Sequence, residues 1–435
     1  MNKLLDVLQE KMVPIAYKLD SNRYLTAIKS GFFGAMPILI IGSIFLLLAN
    51  LPVPGYAEFM MSLLGESWTT YFMVPYEMSM NIMTLFVIIG IARQLSKHYQ
   101  LDDLSGTIIA LVGFLILTPT LVNEEGAAGI PMVNLSASGL FIGMIAAVLG
   151  VEIFRWVTGR GWVIKMPESV PANVSMSFSA LIPAFFVIVI FNFIRIGFSF
   201  TSFETAHQFI FQILQKPLLS LGGSLPALWV VLLFEMLLWS FGIHGSNIMG
   251  SVMTPIWLSL TMENAEAFAQ GQALPNIINT QFYSNYIKLG GAGATIGLAV
   301  LCALFAKSAQ FKTLGRLSFA PGIFNINEPL TFGIPMVLNP LMMPAFILTP
   351  LVMATISYVA MATGLVPYPN GTNIPWTTPP IFSGLLLSGW RGAVLQLFNI
   401  GVSSLIYFPF FRILDKQAYE QETTTSGEGQ VIEDS

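Results

Sequence analysis

Long apolar runs make up most of this chain, and the way polar residues interrupt them separates two halves. From Ser30 to Ala57 no charged residue occurs. A spanning helix needs about 20 apolar residues, so a first membrane span fits inside that run. Runs of similar character predict further spans near Tyr71–Ala92, Ser105–Val122, Ala137–Phe154, Phe178–Phe198, Leu225–Phe241, Ile248–Thr261, Gly291–Phe305, Leu341–Gly364 and Gly392–Phe410. The pattern thus predicts an all-α integral membrane protein with about ten transmembrane helices, re-entrant hairpins and amphipathic interfacial helices.

Ahead of the first span, Leu4, Leu5, Leu8, Met12, Ile15 and Leu19 recur at helical spacing, with Lys3, Lys11 and Lys18 on the polar side. Met1–Ser21 reads either as an amphipathic helix on the membrane surface or as an ordinary cytoplasmic helix. Midway, Phe203, Ile210, Phe211, Leu214 and Leu218 give Thr201–Leu221 an amphipathic spacing. Before it the apolar runs are clean. After it they are broken by Gly, Pro and Asn at Gly242–Asn247, Gly290–Gly297, Pro321–Pro335 and Pro367–Pro380. Interrupted hydrophobic segments point to a transport site. The expected organisation is a scaffold half over 1–200, an amphipathic linker helix over 201–222, a substrate-handling half with re-entrant segments over 223–416, and a disordered polar tail over 417–435.

Composition sharpens this picture. Of 435 residues, 54% are hydrophobic and 10% charged, against roughly 25% charged in soluble domains. The net charge of −4 carries no basic stripe, which argues against a nucleic-acid partner. No cleavable signal is expected, because the first apolar run follows a polar and amphipathic stretch and is long enough to span. The single cysteine, Cys302, lies in an apolar run, so the chain can form no internal disulfide, and no Cys/His cluster of zinc type calls for a metal or other cofactor. Basic residues mark the cytoplasmic connections: Lys18, Arg23 and Lys29; Arg93 and Lys97; Arg155, Arg160 and Lys165; Lys307, Lys312 and Arg316; Arg412 and Lys416. The connections at Glu58–Glu66 and Glu124–Glu125 are acidic, so both termini are expected in the cytoplasm; Lys216 falls on the wrong side of this count.

Two constellations carry chemistry. In Asn325-Ile326-Asn327-Glu328-Pro329, carboxylate and amide groups present donors and acceptors suited to sugar hydroxyls. A carboxylate in a partly dry site can serve as a base toward a hydroxyl. A structural ion pair is the competing account of Glu328, but no cation follows it until Arg391. In Gly242-Ile243-His244-Gly245-Ser246-Asn247, flanking glycines let an imidazole and its backbone approach a ligand closely. His244 could equally satisfy a helix end. Trp239, Phe324 and Trp376 lie near these breaks and could stack on a sugar face or belong to belts and cores; Trp156, Trp162 and Trp390, beside arginines, look like interface anchors.

Other features have ordinary explanations. The glycines of Gly290–Gly297 miss the dinucleotide spacing, and close helix packing accounts for them better. Asp102-Asp103 reads as a helix-start cap, and Glu152 can pair with Arg155 at i,i+3. Glu77 and Glu235 have no partner visible in the sequence.

The segments Met166-Pro167-Glu168-Ser169-Val170-Pro171, SFSALIP at Ser177–Pro183, GIHGSN at Gly242–Asn247 and FNINEP at Phe324–Pro329 together resemble the membrane-spanning IIC component of the bacterial sugar phosphotransferase system, in its lactose/cellobiose/diacetylchitobiose branch. The resemblance covers nearly the whole chain and is nearest to the diacetylchitobiose type. It implies a multi-pass protein of the bacterial inner membrane, in contact with its lipids, that forms a homodimer through its N-terminal half and holds a β-linked disaccharide in its C-terminal half. That half would move to expose the sugar to the cytoplasm. A separate IIB protein, charged through IIA, would then pass a phosphoryl group from a phosphocysteine to the sugar, so the chain is not an enzyme alone. By the same resemblance His244 and Glu328 lie beside the hydroxyl that becomes phosphorylated, while Asn247, Trp239, Trp376, Asn325, Asn327 and Gly245 line the cavity. Two other classes compete. A proton-coupled disaccharide symporter would use Glu328 as its protonation site and leave the sugar unphosphorylated. A membrane glycosyltransferase would need a catalytic loop that the chain does not offer.

Overall fold

The computed structural model describes Glu10, Pro14, residues 17–19, 21–51, 55–122, 126–167, 169–334, Met336 and 339–433. The amphipathic helix expected over Met1–Ser21 lies largely outside these residues, as do Glu168, Pro335 and the Glu124-Glu125 pair. The chain divides into two compact units, one built from Lys18–Gly222 with Gly250–Glu263, the other chiefly from Gly223–Met249 and Asn264–Ser435.

The first unit contains helices α1 (Arg23–Ala49), α2 (Tyr56–Leu64), α3 (Trp68–Met80), α4 (Met83–His98), α5 (Asp103–Leu117), α6 (Leu140–Gly159), α7 (Ala172–Ser179) and α8 (Leu181–Ser199). The stretch expected as one linker helix is α9 (Ala206–Ile210), a π-helical turn over Phe211–Gln215 and α10 (Lys216–Gly222). The only strands among the described residues are two-residue ones, Leu121–Val122 paired antiparallel with Ala128–Gly129.

Lipid tails are as apolar as leucine, so helices associate here by close approach rather than by hydrophobic burial. At the contact of α1 and α4 a Cβ on Gly90 would sit 2.6 Å from the Gly31 Cα, so only two glycines fit. Polar groups settle at helix ends. Asp102 caps α5 by accepting from the Ser105 N–H at 2.8 Å, and Asp103 pairs with Arg93 at 2.9 Å, as expected of a helix-start pair. Glu152 pairs with Arg155 at 2.8 Å and also accepts from the hydroxyls of Tyr24 and Tyr99. Burial, then the bond to Glu152, pushes the Tyr99 hydroxyl above its ordinary range, so it stays a donor. Glu77 is half-buried in α3 and makes no side-chain hydrogen bond or ion pair among the described residues.

The second unit holds α11 (Leu225–Ser240), the start of α12 (Gly245–Ala269), α13 (Thr280–Phe282), a π-helical turn over Tyr283–Ile287, and α14 (Ile296–Phe305). It continues with α15 (Ala309–Ile323), α16 (Glu328–Gly333), α17 (Met343–Ala362) and α18 (Phe382–Glu433). Its core joins Met236, Leu298, Cys302, Phe311, Leu330, Phe346, Tyr407 and Phe411, so α11, α14, α15, α16, α17 and α18 share one apolar centre. Cys302 is fully buried there.

Among the described residues, six helices are long and apolar enough to cross a membrane: Arg23–Ala49, Trp68–His98, Ala137–Gly159, Val174–Ser199, Met343–Ala362 and Phe382–Thr424. Ala206–Gly222 with Leu225–Ser240 makes a seventh if the two count as one broken span. Asp103–Leu117 and Ile296–Phe305 are apolar but short. At 1.5 Å per residue they reach roughly 22 and 15 Å, against a hydrocarbon core of about 30 Å. The spans expected near Ser105–Val122 and Gly291–Phe305 thus fall on the two shorter apolar helices, and the one expected at Ile248–Thr261 lies within α12. The last helix is broken at Ser388–Gly389, where Gly389 takes φ +68°, and then continues to Glu433. The disordered tail expected from Gln417 is therefore helical over the described residues. Extending an existing helix adds one hydrogen bond per residue with no nucleation cost, which lets a polar segment follow an apolar one.

Candidate functional site

The site grows out of two helix starts in the second unit. α11 ends at Ser240, the chain turns through Gly242 at φ +79°, and His244 caps α12 with its Nδ1 accepting from the Asn247 N–H at 3.3 Å. Gly245 follows because the turn presses against α11. A Cβ there would lie 2.2 Å from the Glu235 carbonyl oxygen. That close approach brings Ser246 to the Glu235 side chain, where its hydroxyl donates at 2.5 Å. The Trp239 indole N–H donates to the same Ser246 oxygen at 3.1 Å, and its ring lies 4.4 Å from the His244 ring, centroid to centroid.

Glu235 is wholly buried and its partner is Lys288, whose ammonium donates to both Glu235 and, at 3.0 Å, Ser246. Tyr283 donates its hydroxyl to the other Glu235 oxygen at 2.6 Å, and the Lys288 nitrogen sits 4.3 Å from the Tyr283 ring centroid. These two residues come from the π-helical turn Tyr283–Ile287 and the residue that ends it.

The second helix start is α16, whose first residue is Glu328. Its loop is tied down by two asparagines. Asn325, at φ +61°, accepts from the Gly290 N–H at 2.8 Å and donates to the carbonyls of Trp376 at 2.6 Å and Thr378 at 3.3 Å. Asn327 donates to the Ala292 carbonyl at 2.6 Å. Gly291, at φ +92°, lets the loop after Lys288 pass under them, since a Cβ there would meet the Asn327 amide at 2.7 Å. Three separate stretches, Gly290–Ala292, Asn325–Glu328 and Trp376–Thr378, are thereby joined.

Glu328 itself is exposed and makes no hydrogen bond or ion pair among the described residues. The carboxylates of Glu328 and Glu235 and the ammonium of Lys288 all lie within electrostatic reach of the His244 ring. His244 is exposed, and Trp376 and Phe324 each show half their surface. The arrangement offers an open imidazole, an open carboxylate and aromatic faces beside a buried, neutralised charge pair.

Of the residues expected from sequence, His244, Gly245 and Asn247 share one turn against which Trp239 of α11 packs, and Asn325, Asn327, Glu328 and Trp376 belong to the tied loops. Asn325 spends both amide donors on backbone carbonyls and Asn327 spends one, so their visible work is to hold the loops. Sequence reasoning missed Lys288 and Tyr283, passed over Ser246 and left Glu235 open. A signal existed: Glu235 is the only charged residue between Lys216 and Glu263, and Lys288 the only one between Glu266 and Lys307. Two lone charges of opposite sign in apolar surroundings call for each other.

Residues 29–350 match the family described as phosphotransferase system, EIIC. The chain is 45% identical to the lichenan permease IIC component of Bacillus subtilis (strain 168), over 97% of this chain and 96% of that protein. It is 44% identical to the cellobiose-specific EIIC component of Geobacillus stearothermophilus, over 99% of each. Among solved structures, the crystal structure of the transporter ChbC, the IIC component from the N,N'-diacetylchitobiose-specific phosphotransferase system, matches with a TM-score of 0.92 and 44% identity, over 96% of this chain and 99% of that one.

Proposed function

The chain belongs to the phosphotransferase-system EIIC family and is a sugar-specific, multi-pass membrane permease; from that premise we propose that it carries a β-linked disaccharide of the cellobiose or N,N'-diacetylchitobiose type and presents it to a IIB protein. The named sugars of its relatives support this choice of substrate. Residues 223–416 form the substrate-handling half, residues 1–200 the scaffold through which two copies associate, and both termini lie in the cytoplasm.

One observation carries the assignment of the site: Glu328 is exposed and, among the described residues, unpaired, on a loop that two asparagines tie down, within electrostatic reach of His244. A carboxylate held in place with no internal partner is available to a ligand. Glu328 orients the sugar hydroxyl and accepts its proton as the phosphoryl group arrives, while His244 stabilises charge at the transfer. Trp239, Trp376, Asn247 and Gly245 shape the sugar site, and Asn325 and Asn327 fix its floor. The donor is a IIB phosphocysteine, supplied in turn by IIA; Cys302, buried in the apolar core, is not placed to serve. Phosphorylation adds about −1.5 to −2 charge at neutral pH, which prevents the product from recrossing an apolar path.

The test is uptake of labelled cellobiose and diacetylchitobiose by cells carrying wild type, Glu328→Gln or His244→Ala, with the phosphorylation state inside scored with and without IIB. Phosphorylated product is expected only with IIB, and is nearly lost in both variants. Free sugar accumulating without IIB and collapsing with the proton gradient would overturn the assignment in favour of a symporter.

A further inference from the structure

Ser246, at the centre of the buried group under the His244 turn, has a complete hydrogen-bond ledger. A hydroxyl offers one donor and two acceptor lone pairs. Ser246 donates to Glu235 and accepts from Lys288 and from Trp239, so all its capacity is used. One Glu235 oxygen accepts from Ser246 and Lys288, the other from Tyr283. In this pattern both Glu235 oxygens accept, and Lys288 donates twice. Ser246 has nothing left over to bind sugar, while Lys288 keeps a third donor. Such a pair gives little net stability compared with apolar packing of the same volume, and its better-attested role is to fix one arrangement of its neighbours.

Its neighbours here are the transfer residues. Ser246 sits two positions after His244 and holds the Trp239 indole, whose ring packs on the His244 ring at 4.4 Å. Lys288 opens the loop that Asn325 and Asn327 bind, and Glu328 follows Asn327 directly. The ion pair thus ties the His244 turn to the loop under Glu328. Resting on the function proposed above, we propose that Glu235 and Lys288, acting through Ser246, are positioning residues for phosphoryl transfer: they set the His244 ring against Glu328 and do not touch the sugar themselves.

The test uses the purified full chain, the doubly neutral variant Glu235→Gln/Lys288→Met, and Ser246→Ala. The double variant leaves no lone buried charge. Two quantities are read on folded protein: binding of labelled cellobiose by equilibrium dialysis, and single-turnover transfer from phosphorylated IIB. A positioning role leaves binding within about three-fold and slows transfer by about 10- to 100-fold, the scale of a small misplacement of reacting groups. Wild-type transfer in the double variant, with Glu328→Gln still defective, would reduce the pair to a structural brace. Equal loss of binding and transfer would also overturn the proposal, because the pair would then shape the sugar site. Should the double variant not fold, Ser246→Ala decides on the same split. If Glu328→Gln and His244→Ala transfer normally as well, the site itself is misplaced, a failure distinct from that of the pair.

Discussion

Gly245 and Asn325 show how single side chains hold the site. A methyl group at Gly245 would stand 2.2 Å from the Glu235 carbonyl, a backbone atom that cannot swing away. Overpacking of this kind costs about 1–3 kcal/mol, so Gly245→Ala should lower the thermal midpoint in detergent and reduce sugar phosphorylation together. Asn325 combines a left-handed backbone with three hydrogen bonds. Removing its amide leaves the buried Gly290 N–H unpaired, at about 1–3 kcal/mol. Asn325→Gly relieves the backbone yet loses the bonds, so it should still be destabilised, though less than Asn325→Ala; full stability in the glycine variant would show that backbone strain, not bonding, is the reason for asparagine. The residue types at these positions were visible in the sequence, where Asn325 and Asn327 suggest sugar ligands. Their partners are backbone groups some 35 residues earlier, and a carbonyl has no sequence signature.

Among the elements, the start of α15 is where the last helix matters. Asp415 accepts from the N–H groups of Lys307 and Ser308 and from the Ser308 hydroxyl, and Glu422 accepts from the N–H groups of Ala309 and Gln310 at 2.9 Å. Two carboxylates seven residues apart on α18 thereby satisfy the free donors of α15 and face the positive end of its dipole. α15 leads directly into the Asn325–Glu328 loop. Truncation after Lys416 removes Glu422 and should cost about 1 kcal/mol, the usual value of a helix cap, read as a lower thermal midpoint. An unchanged midpoint would mean that the segment after Lys416 is the dispensable tail its composition suggests. Asp415→Asn keeps the shape but removes the charge, and should cost about 0.3–1 kcal/mol through the dipole.

For the whole molecule, the distribution of Lys and Arg makes a prediction about orientation. Cys302 is fully buried, so the native chain is silent toward membrane-impermeant thiol reagents. Arg160→Cys and Lys416→Cys should then label only in inside-out vesicles, and Glu66→Cys only from outside; labelling of Arg160→Cys in intact cells would reverse the topology. By itself the sequence determined the all-α membrane class, because a charge-free apolar run of span length is stable only as a helix in lipid. It also pointed to where the proposed site residues fall, because Gly, Pro, Asn and a carboxylate inside such runs need a special environment. Tertiary structure decided where each apolar helix begins and ends, as at Asp103–Leu117 and Ile296–Phe305, because helix ends are set by the caps and turns of the folded chain. It decided, too, that Glu235 has Lys288, 53 residues away, as its partner. Charge balance in a buried space is a condition on groups that the fold brings together, and order along the chain does not contain it.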